Sequence, residues 1–161
     1  MNFTALATIF SPELATVIIA MLPVAELRAA IPIGVGVYHL DPLKVYVLSV
    51  LGSFIPAFFI LALLGPLSGY LIERFTIAKN FFSWLFDHTK NKFSGKYADW
   101  GYLVILLLAA LPLPGAGTWT GAVAAFIFGV PKKVALLLLL GGTAIAGLIV
   151  MLATLGLTKI F

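Results

Sequence analysis

Residues 102–117, YLVILLLAALPLPGAG, decide how the chain is built. The apolar run Tyr102–Leu111 is about half of the roughly 20 residues that a helix needs to cross a bilayer core. It ends in Pro112-Leu113-Pro114-Gly115-Ala116-Gly117, a string that breaks helices. A short apolar run stopped by Pro and Gly predicts a re-entrant segment, which enters the membrane, turns and comes back. The return limb is 118–128. The same pattern occurs upstream: apolar residues 14–22 lead to Pro23, Glu26, Arg28, Pro32, Gly34 and Gly36, with a return limb at 31–38. Two other stretches are long enough to span, 43–64 (interrupted by Pro56) and 134–157. Non-helical backbone at membrane depth persists only where protein or a water-filled cavity satisfies it, so a cavity is implied.

Composition agrees. Of 161 residues, 62% are hydrophobic and 10% charged, and the mean hydropathy is +1.14. Soluble domains are nearer half apolar and a quarter charged. Lipid is the solvent this chain requires. Without cysteine, disulfide frameworks, thiolate metal sites and cysteine nucleophiles are excluded. Two histidines, His39 and His88, leave little for a zinc site, so neither a metal nor another cofactor is expected. The net charge of +4 is scattered, which does not suit nucleic acid. The opening MNFTALATIF lacks a basic n-region, and no cleavage is expected.

The charges orient the chain. Arg74, Lys79, Lys90, Lys92 and Lys96 lie within 70–100, and Lys132 and Lys133 lie in the turn before the last span. Both loops are expected on the cytoplasmic side of the cell (inner) membrane. The segment between them then starts and ends on one side, as a hairpin must; a pair of short spans is the alternative. Within 70–100, Leu71, Phe75, Ala78, Phe82 and Leu85 recur at helical spacing. This predicts an amphipathic helix, either at the interface or packed on the bundle ends.

A shift of 89 positions superimposes the two halves. Ala20, Leu22 and Pro23 fall on Ala109, Leu111 and Pro112, and Pro42, Lys44 and Val45 on Pro131, Lys133 and Val134. Leu51 and Gly52 fall on Leu140 and Gly141. The expected fold class is therefore an all-α integral membrane bundle in a single domain, 1–161. Repeat 1 (12–69) has hairpin 14–38 and span 43–64; repeat 2 (101–161) has hairpin 102–129 and span 134–157. The amphipathic linker lies between them. The two spans run in opposite directions, so the repeats are inverted copies. Broken helices meeting near the midplane of inverted repeats are the architecture of many secondary transporters.

Chemistry concentrates in AELRAAIPIGVG and ALPLPGAGTWTG. Glu26 and Arg28 lie in an otherwise apolar segment, where an ionised side chain costs about 2.5–3.5 kcal/mol at the bilayer centre. On a regular helix, residues two apart point to different sides, so these two pair only in a non-helical tip, or each finds a partner elsewhere in the cavity. The alternative is that both snorkel at the interface. Glu26 is the candidate proton site and Arg28 the candidate anchor for an anionic head group. In the second hairpin, backbone N–H groups at the start of the return limb favour an anion. Thr118 and Thr120 add hydroxyls, and Trp119 is a stacking surface or an interfacial anchor. Pro32, Gly34, Pro112, Pro114, Gly115 and Gly117 shape the hairpins around the cavity.

The motifs AELRAAIPIG and LPLPGAGTWTGA, with Pro131-Lys132-Lys133, resemble the small multidrug export family over about 14–157. That family is similar to a branch of the DedA superfamily, the VTT or SNARE-associated group. The resemblance implies paired re-entrant hairpins, with the first-hairpin glutamate at Glu26 before Pro32-Ile33-Gly34 and the second turn at Pro114-Gly115. It implies recycling of polyprenyl phosphate carriers across the membrane on the proton gradient. The arginine that follows the turn in DedA proteins is Gly117 here, and Arg28 stands in the opposite hairpin.

Three functions follow as expectations. The first is a proton-coupled transporter or flippase for an amphiphilic, lipid-like substrate, its partners being membrane lipids, that substrate and protons. The second is an exporter of small hydrophobic cations held by Glu26. The third is a non-transporting scaffold or an intramembrane enzyme. No metal cluster, nucleophile–base pair or histidine pair favours enzyme chemistry, so a non-enzyme is expected. Four membrane elements make a thin bundle, which a homodimer would help to close.

Overall fold

The computed structural model of the protein describes residues 10–76, 79–80, 83, 98–113 and 115–160, and the regular elements among them are all helices. Helix α1 spans Pro12–Met21, α2 Glu26–Gly36 and α3 Pro42–Arg74; α4 spans Ala98–Ala110, α5 Thr118–Ile127 and α6 Lys132–Ile160. The order short, short, long therefore occurs twice. Helices α3 and α6 hold the two candidate membrane spans.

Local chemistry sets the boundaries. Ser11 caps α1, accepting from the Leu14 N–H, with Pro12 in the first turn. Asp41 Oδ1 accepts from the Lys44 N–H at 3.0 Å and starts α3. Between α4 and α5, Gly115 turns the chain at φ 82°, and Gly129 at φ 65° separates α5 from α6.

Three expectations need correction. The break in the first hairpin falls at 22–25, and Pro32 lies inside α2. Residues 26–30 thus belong to the return limb, since a proline without its N–H costs the helix one bond and does not always end it. The long helix also passes both Pro56 and Pro66 and runs to Arg74, so 70–74 belongs to it. The second hairpin's first limb starts earlier than expected, at Ala98. Most of the expected amphipathic face, including Ala78, Phe82 and Leu85, lies outside the described residues.

Packing shows how the elements run. Glu13 pairs with Lys44 at 2.7 Å, and Ser53 donates to the Ala20 carbonyl at 3.1 Å, so α1 lies alongside the first third of α3 in the same direction. Helix α2 then returns: a Cβ on Gly34 would sit 2.8 Å from Val45 Cγ1. In the second half, a Cβ on Gly142 would meet the Leu106 carbonyl at 2.7 Å, and Thr118 faces Thr143 at 2.9 Å. A Cβ on Gly121 would meet Leu139 Cδ2 at 2.7 Å, so α5 descends along α6 as α2 does along α3.

The two long helices are antiparallel. Lys132, at the start of α6, approaches Gly65 late in α3, whereas Tyr46, early in α3, donates to the Ala144 carbonyl at 3.1 Å. Gly147 packs on the Tyr46 ring. The close-packing glycines are Gly52, against Ala20 and the Val17 carbonyl, and Gly142, against Ala109 and the Leu106 carbonyl. Ala20 and Ala109 are equivalent in the sequence repeat; the packing glycine is one residue beyond the expected Gly141.

Polarity is distributed as lipid demands. Ser49, Ser53, Thr118, Thr143 and Glu26 are buried, while Leu51, Phe58, Leu63, Leu137, Leu148 and Leu152 on the long helices are exposed. Contiguous exposed apolar surface of this kind is rare on soluble monomers.

Candidate functional site

The two hairpin tips touch, and Glu26 sits at the junction. It is the first residue of α2 and adopts φ 45°, a region that costs a non-glycine residue on the order of 1–3 kcal/mol. Its N–H donates to the Leu22 carbonyl at 2.9 Å, which closes the tip. That geometry turns the side chain across the bundle. Glu26 is 4% exposed, and its carboxylate accepts from the backbone N–H groups of Thr118 and Trp119, the first two residues of α5. The first hairpin thereby caps the helix of the second. An anion at a helix N-terminus gains up to about 2 kcal/mol when partly buried.

Gly117 makes the approach possible. A Cβ there would lie 2.6 Å from Glu26 Oε1 and 2.8 Å from Cδ, inside any real contact distance. Arg28, the third residue of α2, donates to the Ala116 carbonyl of the opposite tip. Its guanidinium is 3.9 Å from Glu26 Oε2. The two charges, expected to pair directly or separately, are thus joined mainly through the second hairpin, with a loose ion pair between them.

The remaining candidates divide. The Thr118 hydroxyl is fully engaged inside the protein: Thr143 donates to the Leu139 carbonyl at 2.6 Å, so Thr118 donates to Thr143. Thr143 was not legible as a site residue, although a threonine after two glycines in an apolar span was a signal for it. Thr120 is exposed and donates to the Gly115 carbonyl at 3.0 Å, closing the turn away from Glu26. Gly115 and Pro112 shape that turn, and Pro114 lies outside the described residues. Pro32 is exposed on α2, and Gly34 serves the packing on Val45. The α5 N-terminus, expected to be open to a substrate anion, is instead occupied by Glu26.

Trp119 faces two ways. Its N–H serves Glu26, and its side chain forms one wall of a cavity of about 260 Å³ along α3. The indole Nε1 is buried without an acceptor among the described residues.

Residues 26–149 match the family model described as putative small multi-drug export protein. The chain belongs to that family. The match begins at Glu26 itself, just after the first tip, and takes in the second tip and the greater part of both long helices. With two helices long and apolar enough to cross a bilayer, membership in an export family marks the chain as a membrane protein. No curated protein and no solved structure matches the chain.

Proposed function

We propose that this member of the export family is a proton-coupled transporter that moves an amphiphile with an anionic head group, of the polyprenyl phosphate type, across the inner membrane by alternating access, as the DedA resemblance implies. The observation that carries the reading is the Glu26 carboxylate on the N-terminus of α5. While Glu26 is ionised, it offsets Arg28 and the helix end. Protonation leaves about +1.5 elementary charges facing the junction, counting one for Arg28 and half for the helix terminus. An anionic head group restores the balance. Proton and anion therefore enter together, and neither state leaves a large charge unpaired in a low dielectric.

Depth supports the re-entrant, inverted arrangement on which alternating access depends. Lys44 and Gly65 are roughly 32 Å apart along α3 at about 1.5 Å per residue, which matches a hydrocarbon core of about 30 Å. Glu13 and Lys44 mark one surface, and Lys132 beside Gly65 marks the other. Ser53, level with the first tip, is roughly 14 Å from Lys44, and Thr143, level with the second, is roughly 17 Å from Lys132. Both tips then lie near the midplane, having entered from opposite faces, with 70–100 and 131–133 cytoplasmic.

A liposome assay with an imposed proton gradient tests the proposal, following a short-chain polyprenyl phosphate and a cationic dye. Lipid movement lost in Glu26→Gln is the expected result; dye movement alone overturns the anionic assignment. The second reading, export of small hydrophobic cations, draws on the family description and on Glu26 being the one buried carboxylate among the described residues.

A further inference from the structure

The apolar core is not continuous along the bundle. One cluster joins Leu27 and Ile31 of α2 to Val45 of α3 and to Ala146 and Met151 of α6. Ile19 and Ala20 of α1 belong to the same end through Ala30 of α2. A separate cluster joins Ala57 and Leu61 of α3 to Ile105 of α4, Ala122 of α5 and Ala135 and Leu139 of α6. Among the described residues, no buried apolar residue of the first hairpin enters that second cluster, and none of the second hairpin enters the first. Each long helix therefore changes core partway along. Helix α3 serves the first hairpin at Val45 and the second from Ala57, whereas α6 serves the second hairpin up to Leu139 and the first from Ala146. Both changes fall at the level of the hairpin tips, where Ser53 bonds to Ala20 and Thr143 to Thr118.

At the same two places each long helix is easiest to bend. Pro56 has no N–H, which leaves the Gly52 carbonyl without its helical bond. Helix α6 carries Gly141-Gly142 and then Thr143, whose hydroxyl turns back to the Leu139 carbonyl at 2.6 Å. Glycine weakens a helix interior, and a threonine bonded four residues back bends one. Proline and small-residue pairs are where helix kinks occur. Gly52 and Gly141 are equivalent in the sequence repeat, so each half of the chain supplies one such point. The two cores are close-packed, and close packing moves as a unit. Between them stand polar contacts instead: Glu26 on the first N–H groups of α5, and Arg28 on the Ala116 carbonyl. Hydrogen bonds of this kind can exchange partners without tearing an apolar core.

We propose that the protein is two rigid bodies, one toward each membrane surface, hinged at 52–56 of α3 and 141–143 of α6, with the Glu26–Gly117 junction as the clasp between them. Each body holds one hairpin, the near half of its own long helix and the far half of the other. Tilting on the two hinges parts the tips and bares Arg28 and the α5 N-terminus. Hinges of this sort are a few residues that absorb the backbone change while the packed parts stay intact. The assignment names the moving parts of the transport function proposed above, and rests on that reading for the use of the motion alone.

Distances between spin labels in the reconstituted full chain test this, with pairs of cysteines introduced at exposed positions. Val24 and Leu113, equivalent in the repeat, report across the two bodies. Val24 with Leu51, and Leu113 with Leu140, each report within one body. Glu26→Ala and Gly117→Ala release the clasp by different means. In both, the Val24–Leu113 pair is expected to gain a second distance, longer by several Å, while the two pairs within bodies keep their parent distances. Pro56→Ala combined with Gly141→Ala stiffens both hinges, and a Cβ at 141 meets only Leu106 Cδ1 at 3.8 Å. Added to Glu26→Ala, this double change is expected to remove the longer distance. The proposal is overturned if a pair within a body lengthens along with the tips, since the hairpins then swing singly. It is equally overturned if both clasp variants keep one short Val24–Leu113 distance, or if the longer one survives stiffening. The clasp variants alone compare motion across bodies with motion within them, so misfolding of the stiffened protein does not spare the idea. No substrate or proton gradient enters these measurements. Hinged bodies in a protein that moves nothing in the liposome assay would leave this proposal standing and end the transport reading; transport without the longer distance in either clasp variant would do the reverse.

Discussion

The carboxylate of Glu26 fills the space in which a side chain on Gly117 would begin. One residue supplies the charge and the other, from the opposite half of the chain, supplies the vacancy. The seat of Glu26 against the start of α5 depends on that pairing.

Gly117→Ala is therefore expected to expel the Glu26 carboxylate from the α5 N-terminus, costing about 1–3 kcal/mol for the donors left unmet and abolishing transport. Gly36→Ala, where a Cβ meets nothing within 4 Å, is the control that keeps both. Thermal unfolding and the liposome assay report the two effects, and normal transport by Gly117→Ala would refute the role given to the junction.

The threonine pair makes a prediction about coupling. Thr143→Val strands the buried Thr118 hydroxyl, at about 1–3 kcal/mol. The double replacement by valine is expected to cost less than the two single changes added, with a coupling of about 0.5–3 kcal/mol. Strict additivity in denaturation of the purified protein would mean that the two hydroxyls do not bond.

Packing at the small residues is tested by Gly142→Val. Its first carbon meets backbone at Leu106 and the methyl of Ala109, and neither can yield by a rotamer change. Overpacking of about 1–3 kcal/mol is expected, with Gly52→Val behaving alike against Val17 and Ala20. Gly156→Ala, in open space, should leave the unfolding temperature unchanged.

Acid sensitivity follows from the surface pair. The hydrogen bond from Lys44 holds the Glu13 carboxyl below its usual range. A depressed folded-state pKa means stabilisation that is complete above the unfolded value, about 4.3, and is lost as pH falls through the lower folded value. Unfolding temperature measured from pH 6 to pH 2 should fall less steeply in Glu13→Gln than in the parent; identical slopes would show that the pair is not formed in the membrane.

Topology can be read directly, because the chain lacks cysteine. Single cysteines at Asp41 and Lys133 should react with an impermeant maleimide from opposite faces, and one at Val24, 92% exposed at the first tip, only with a lipophilic reagent. Labelling of 41 and 133 from the same side would end the inverted arrangement.

The amino-acid sequence alone was enough for helix type, for the two long and four short elements, and for Glu26, Arg28 and Gly117 as residues of interest. Apolar run length and Pro-Gly punctuation are local properties, and a charge in a hydrocarbon segment stands out without any partner in view. Where the first hairpin turns was not legible, because Pro32 carries the same breaker signal whether its helix tolerates it or not. Nor was the fate of the α5 N-terminus. A free helix end reads as an open anion site, and only the tertiary fold brings a carboxylate from the other half to fill it. Thr118 likewise read as a donor for substrate until Thr143 was seen opposite. Sequence determines which groups need a partner in lipid; which partner each one finds is decided by the crossing of the two halves, since those contacts join residues far apart in the chain and no local pattern encodes them.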